Sequence, residues 1–158
     1  MKQVMTFKIN GMIFEEEIDH RRTLLEALRE IFGLLGTHKG CDEGQCGACT
    51  VLVDGKAVNS CLVLAASVQG KEITTIEGLA QGDELHPIQE EFVNTGAIQC
   101  GFCTPGMILT SKAFLDKNPN PTDNEIRNAL CGNLCRCTGY YQIIEAVSKA
   151  AKRLSKKG

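Results

Sequence analysis

The chain has 158 residues, 43% of them hydrophobic, a share that suits a globular protein and excludes a disordered one. Aromatic residues make up 5%, tryptophan is absent and the formal net charge is −2, so neither an aromatic platform for stacked bases nor a nucleic-acid partner is expected. No apolar run reaches the roughly 18 residues of a membrane span, and Met1 to Asn10 lacks the apolar centre of a secretory leader; the expectation is a cytoplasmic chain with no direct membrane insertion.

Taken in order, Met5 to Ile9 reads as a strand, Asn10-Gly11 as a tight hairpin turn and Met12 to Ile18 as the returning strand. A helix follows. Thr23 can cap it, Glu26 completes a capping box, Leu24, Leu28 and Ile31 share a face, and Gly33 is the stop. Thr50 to Val53 is a second strand, turned at Asp54-Gly55 and returning through Ala57, and Ile73 to Ile76 is a last one. One helix on a small mixed sheet is an α+β arrangement over residues 1–76. The polar, glycine-rich stretch from Gly70 to Asp83 carries the boundary.

Residues 77–158 read as helical. Ile88, Phe92 and Val93 mark a helix after Pro87. Thr104 as cap and Pro105 as first helical residue open the next, which carries Met107, Ile108, Leu109 and Phe114 as far as Asn118-Pro119. Thr122 with Glu125 forms another capping box, for a short helix through Leu130. The last helix runs from about Tyr141 to Leu154, with Ile143, Ile144 and Val147 inward. Together they form a four-helix bundle. The basic end, Lys152 to Lys157, and the acidic run Glu15-Glu16-Glu17 are expected to be solvated surface, as are Asp42 and Glu43.

Nine cysteines dominate the chemistry. An odd number without a secretory leader argues against a disulfide scaffold and for metal or redox chemistry. Cys41, Cys46 and Cys49, followed by Cys61, have the spacing of a plant-type 2Fe–2S site. Three thiolates on one loop can wrap a rhomb of two irons and two sulfides while a neighbouring element supplies the fourth. Gly40, Gly44 and Gly47 let that loop turn with positive φ, so that backbone amides point at the sulfurs. The alternative is a four-thiolate zinc site, which usually shows two similar Cys-x2-Cys knuckles; here there is one.

Gly40 to Thr50 resembles the ferredoxin-type segment of the molybdenum hydroxylases, the family of xanthine dehydrogenase, aldehyde oxidoreductase and carbon monoxide dehydrogenase. Plain ferredoxins share that spacing. The second group separates the two. Gln99-Cys100-Gly101-Phe102-Cys103-Thr104-Pro105-Gly106 and Gly132-Asn133-Leu134-Cys135-Arg136-Cys137-Thr138-Gly139-Tyr140 resemble the helical iron–sulfur domain of the same family. The resemblance implies Cys100, Cys103, Cys135 and Cys137 as ligands of a second 2Fe–2S cluster, and Gln99 and Cys137 as contacts to the pterin of a molybdenum cofactor held by a large partner subunit. Cys131 is left over, expected as a small buried hydrophobe, with a substitute cluster ligand as the alternative. A helix start after Cys103 favours a thiolate there. His20, His38 and His86 are isolated, and no catalytic triad is visible.

The resemblance implies an electron-transfer subunit whose residues 1–76 form a ferredoxin-like β-grasp domain, followed by the four-helix 2Fe–2S domain over 77–158. Molybdopterin, as the cytosine dinucleotide, and FAD are expected in partner subunits, a molybdenum-binding large subunit and a flavin-binding medium one. The substrate expectation is xanthine or another N-heterocycle, a common case in the family. Two other classes stay open on the residues: an independent electron carrier, and a zinc-stabilised binding module, which would be colourless.

Overall fold

The computed structural model describes residues 2–156; Met1 and Lys157, which fell within the expectations above, lie outside them. Strands β1 (Lys2–Ile9) and β2 (Met12–Asp19) form an antiparallel hairpin. Its turn places Asn10 at φ 52° and Gly11 at φ 80°, as an Asn-Gly turn requires. Asn10 also holds the far side of the sheet. Its side chain donates to Thr75 Oγ1 and accepts from the Thr75 amide, each at 2.9 Å.

Helix α1 (Leu24–Glu26) starts in the expected capping box: the Glu26 amide donates to Thr23 Oγ1 at 3.2 Å and the Thr23 amide to Glu26 Oε2 at 2.9 Å. It then widens into a π-helical turn over Ala27–Ile31, and Gly33 ends it at φ 68°. Strands β3 (Thr50–Val53) and β4 (Lys56–Asn59) meet at Asp54 and Gly55, and β5 (Glu72–Thr74) pairs parallel with β1 and antiparallel with β3. The order β2-β1-β5-β3-β4 is the β-grasp arrangement. The last strand stops two residues early: Ile76 opens a short 3-10 turn, Ile76–Gly78, pressed against Asn10.

Four helices follow: α2 (Pro87–Asn94), α3 (Thr104–Leu115), α4 (Asp123–Ala129) and α5 (Tyr141–Ser155). The α+β fold, a β-grasp followed by a helical bundle, is as the sequence implied. Details shift. Thr104 is the first residue inside α3 rather than its cap, and Val93 is 60% exposed. The Thr122–Glu125 capping box opens α4 as expected. His86 caps α2, its Nδ1 accepting from the Ile88 amide at 3.2 Å. The basic end is more than solvated surface, since Arg153 pairs with Glu90 and, at 2.8 Å, with the buried Glu91, fastening α5 to α2.

Two apolar cores result. Phe7, Ile9, Leu24, Leu28, Val51 and Ile73 fill one; Ile88, Phe92, Met107, Ile143 and Val147 fill the other. Strand β3 serves both: every residue is buried, Val51 and Val53 in the sheet core and Leu52 among the helices. No helix among the described residues is long and apolar enough to cross a membrane.

Candidate iron–sulfur centres

The first centre is the loop between α1 and β3. Three amides converge on Cys41 Sγ, from Gln45 and Cys46 at 3.3 Å and Glu43 at 3.5 Å, while the Cys41 amide donates to Cys46 Sγ at 3.4 Å. The Glu43 amide, then that of Cys46, brings the Cys41 thiol down to about 7. Gly44 and Gly47 take positive φ, 79° and 69°, but Gly40 does not; Asp42, at φ 60°, supplies the third such turn. Gly40 is required for space, because a Cβ there would lie 2.7 Å from Cys46 Sγ. Asp42 and Glu43 are surface, Asp42 paired with Lys39 at 2.7 Å.

Cys49 precedes β3 and Cys61 lies on a 3-10 turn after β4, and both are buried beside Leu25. Burial, and then the facing Cys49 thiol, push Cys61 up to about 11. The Asn59 side chain donates to the Gly44 carbonyl at 3.0 Å and the Ser60 hydroxyl to the Cys49 carbonyl at 2.7 Å, tying this turn to the loop.

The second centre joins the α2–α3 and α4–α5 connections. Cys100 faces Cys137, and Cys103 faces Cys135. The Phe102 amide lowers the Cys100 thiol, whereas its neighbour Cys100 raises that of Cys137. Cys103 stands just ahead of α3, yet burial outweighs the helix terminus and pushes its thiol up to about 12. Burial also opposes ionisation of Cys135, but the Thr138 hydroxyl, 3.2 Å away, and the Thr138 amide bring it down. Cys100, Cys137 and Gln99 are exposed, within an apolar surround of Ile98, Phe102 and Leu134.

The donor set fits two iron clusters. In each half the four thiols associate two and two, as a rhomb with two thiolates per iron needs. Thiols that burial keeps protonated are ones a bound cation converts to thiolate.

Cys131 is exposed, correcting the expectation of burial. Leu130, at the end of α4, takes the core position, and the next residue faces a cavity of about 370 Å³ with Arg127 and Tyr141. His38 is engaged across the molecule: its ring stacks on Phe102 at 4.8 Å and its Nδ1 meets the Phe102 carbonyl at 2.7 Å. Asn133 and Tyr140 were not singled out in the sequence, although both lay within a quoted motif: Asn133 ties the two loops together through the Gly47 carbonyl, 86 residues away, and Tyr140 braces the second loop through the Cys135 amide and the Asn133 carbonyl.

Comparison with known proteins follows this division. Residues 7–80 match the 2Fe-2S iron-sulfur cluster binding domain and residues 75–148 the [2Fe-2S] binding domain. From Escherichia coli O157:H7, the xanthine dehydrogenase iron-sulfur-binding subunit is 52% identical, over 91% of this chain and 91% of that protein. The aldehyde oxidoreductase iron-sulfur-binding subunit PaoA of the same organism is 48% identical, over 93% of this chain and 71% of its own length. In the crystal structure of quinoline 2-oxidoreductase from Pseudomonas putida 86, a chain covered to 98% superimposes on 99% of this one with a TM-score of 0.95 and 44% identity. The chain belongs to the iron–sulfur small subunits of the molybdenum hydroxylase family. As such a subunit it is an oxidoreductase component built from two 2Fe–2S-binding domains, the ferredoxin-like one first.

Proposed function

We propose that this small subunit carries electrons from the molybdopterin cofactor of a large partner subunit through two 2Fe–2S clusters to a flavin subunit or an external acceptor. Cys41, Cys46, Cys49 and Cys61 hold one cluster within residues 1–76; Cys100, Cys103, Cys135 and Cys137 hold the other within 77–158. When bound, each cluster supplies one-electron storage. The chain's part is to fix the thiolates, aim the amides of Glu43, Gln45 and Cys46 at sulfur, and exclude water from Cys49 and Cys61. The partner oxidises the substrate, xanthine or another N-heterocycle, on a molybdopterin cytosine dinucleotide; FAD belongs to a medium subunit, and the complex works in the cytoplasm.

The observation that carries this reading is the contrast between the centres. Cys49 and Cys61 are buried, whereas Cys100 and Cys137 are open on a surface that also holds Gln99, Ile98, Phe102 and Leu134. Apolar side chains around an exposed redox site suit a partner that brings a second cofactor close. Gln99 and Cys137 are the pterin contacts in this reading.

Anaerobically loaded protein should hold two irons and two acid-labile sulfides per cluster and show two distinct EPR signals on reduction. Stoichiometric zinc in place of either cluster would overturn the assignment. Gln99→Ala should spare both clusters yet slow their bleaching by substrate in the assembled enzyme. A wild-type rate in that variant would remove Gln99 from the cofactor contact.

A further inference from the structure

Cys41 is delivered by a short segment, residues 35–40, that holds neither helix nor strand and follows the π-helical turn. Two side chains of opposite charge hold it. Arg29, on the π-helical turn, donates from one guanidinium nitrogen to the Leu35 carbonyl at 2.9 Å and to the Thr37 carbonyl at 2.8 Å. Against the same segment, Glu77 Oε1 accepts from the Gly36 amide at 2.8 Å, while Glu77 Oε2 accepts from the Thr75 hydroxyl at 2.6 Å. Thr75 is fully buried and bonded to Asn10, so Glu77 stands on a fixed base. The approach is tight: a Cβ on Gly36 would collide with Ile76 Cγ2 and lie 2.8 Å from Glu77 Oε1. These tethers work against a cost. Thr37 is 1% exposed and its hydroxyl has no partner among the described residues. A buried, unpaired hydroxyl disfavours this placement, and a charged donor on two carbonyls offsets it. The far end of the segment touches a thiol. A Cβ on Gly40 would lie 2.7 Å from Cys46 Sγ, and the next amide, that of Cys41, donates to the same sulfur at 3.4 Å.

We propose that Arg29 and Glu77 are positioning residues for the ferredoxin-type cluster: by fixing the entry of the chain into Cys41 they hold the amide-to-sulfur bonds that set its potential. The inference rests on the ligand set Cys41, Cys46, Cys49 and Cys61 proposed above. An amide aimed at a ligand sulfur stabilises the added electron and raises the potential. The Cys41 amide on Cys46 Sγ, and the amides of Glu43, Gln45 and Cys46 on Cys41 Sγ, all depend on where Cys41 enters the loop. Charge alone would act differently. A nearby cation raises a cluster's potential and a nearby anion lowers it, so losing Arg29 and losing Glu77 would then shift the cluster in opposite directions. A loosened segment lowers it in both cases.

The test uses the full chain loaded with both clusters. Redox titration followed by EPR reads the midpoint of each signal, and the signal lost in Cys61→Ala identifies the ferredoxin-type cluster. Arg29→Met and Glu77→Ala should each lower the midpoint of that cluster, leaving it at least about threefold less reduced at the wild-type midpoint, the weight of one ordinary hydrogen bond. The other cluster should keep its midpoint. Glu77→Gln removes the charge but keeps an acceptor for the Gly36 amide, so it should titrate as wild type. If Arg29→Met or Glu77→Ala fails to hold both clusters, Arg29→Lys or Glu77→Asp, which keeps the charge and shortens the reach, takes its place and should shift in the same direction. Unchanged midpoints, shifts of opposite sign, an equal shift of both clusters, or a shift in Glu77→Gln as large as in Glu77→Ala overturns the proposal. A wild-type chain whose iron content shows a single cluster overturns the ligand sets instead, before any potential is read.

Discussion

Gly47 carries two separate demands. Its φ of 69° is left-handed, and the space where a Cβ would sit is filled by the Gly132 carbonyl and Asn133. Gly55 has a similar φ of 73° and nothing near it. Alanine at Gly55 should therefore cost about 1–2 kcal/mol, the backbone strain alone. Alanine at Gly47 should add about 1–3 kcal/mol of overpacking to that and weaken the contact between the loops. Urea unfolding of the two loaded variants checks the difference; equal losses would mean the junction yields. At this scale the sequence was a good guide to Gly47 as a turn. It was silent on Gly47 as a contact, because Asn133 lies 86 residues away. It also misjudged Gly40, needed for room beside Cys46 Sγ rather than for its φ, and Cys131, which faces out because Leu130 fills the core.

Among the elements, those announced by adjacent residues were legible. The capping boxes of Thr23 and Thr122 and the Asn-Gly and Asp-Gly turns rest on neighbours within a few positions. The π-helical turn after α1 has no such signature, and histidine is not among the usual caps, so His86 went unread. That cap titrates. Burial, and then the nearby Lys112 ammonium, hold the His86 imidazole below its ordinary value of 6.5, although Asp116 pulls the other way. Only the neutral ring can accept from the Ile88 amide. The folded chain thus binds fewer protons than the unfolded one just below 6.5. Its stability should be full above that pH, decline as pH falls below it, and level off beneath the lowered folded value. His86→Asn caps without titrating, so the difference in unfolding free energy between about pH 7.5 and 5.5 should shrink in that variant. An unchanged difference would place the titration elsewhere.

Across the whole molecule, β3 is where the halves become one body. The apolar run Thr50 to Val53 showed that a strand lay there, and burial on both faces is what such a run implies, but nothing in it tells which element covers the second face. Leu52→Ala should cost about 2–5 kcal/mol, and the loss should appear as faster amide exchange in α3, although the substituted residue belongs to the sheet. Exchange confined to the sheet would contradict this. The two centres differ in enclosure as well as in position. Cys49 and Cys61 are shut in beneath Leu25 on elements that meet only when the sheet has closed, whereas Cys100 and Cys137 open outward. With the ligand sets proposed above, this difference in enclosure predicts an order of loading: the enclosed site should take its cluster as the chain folds and the open one should still accept its cluster afterwards, which time-resolved reconstitution would read as two phases.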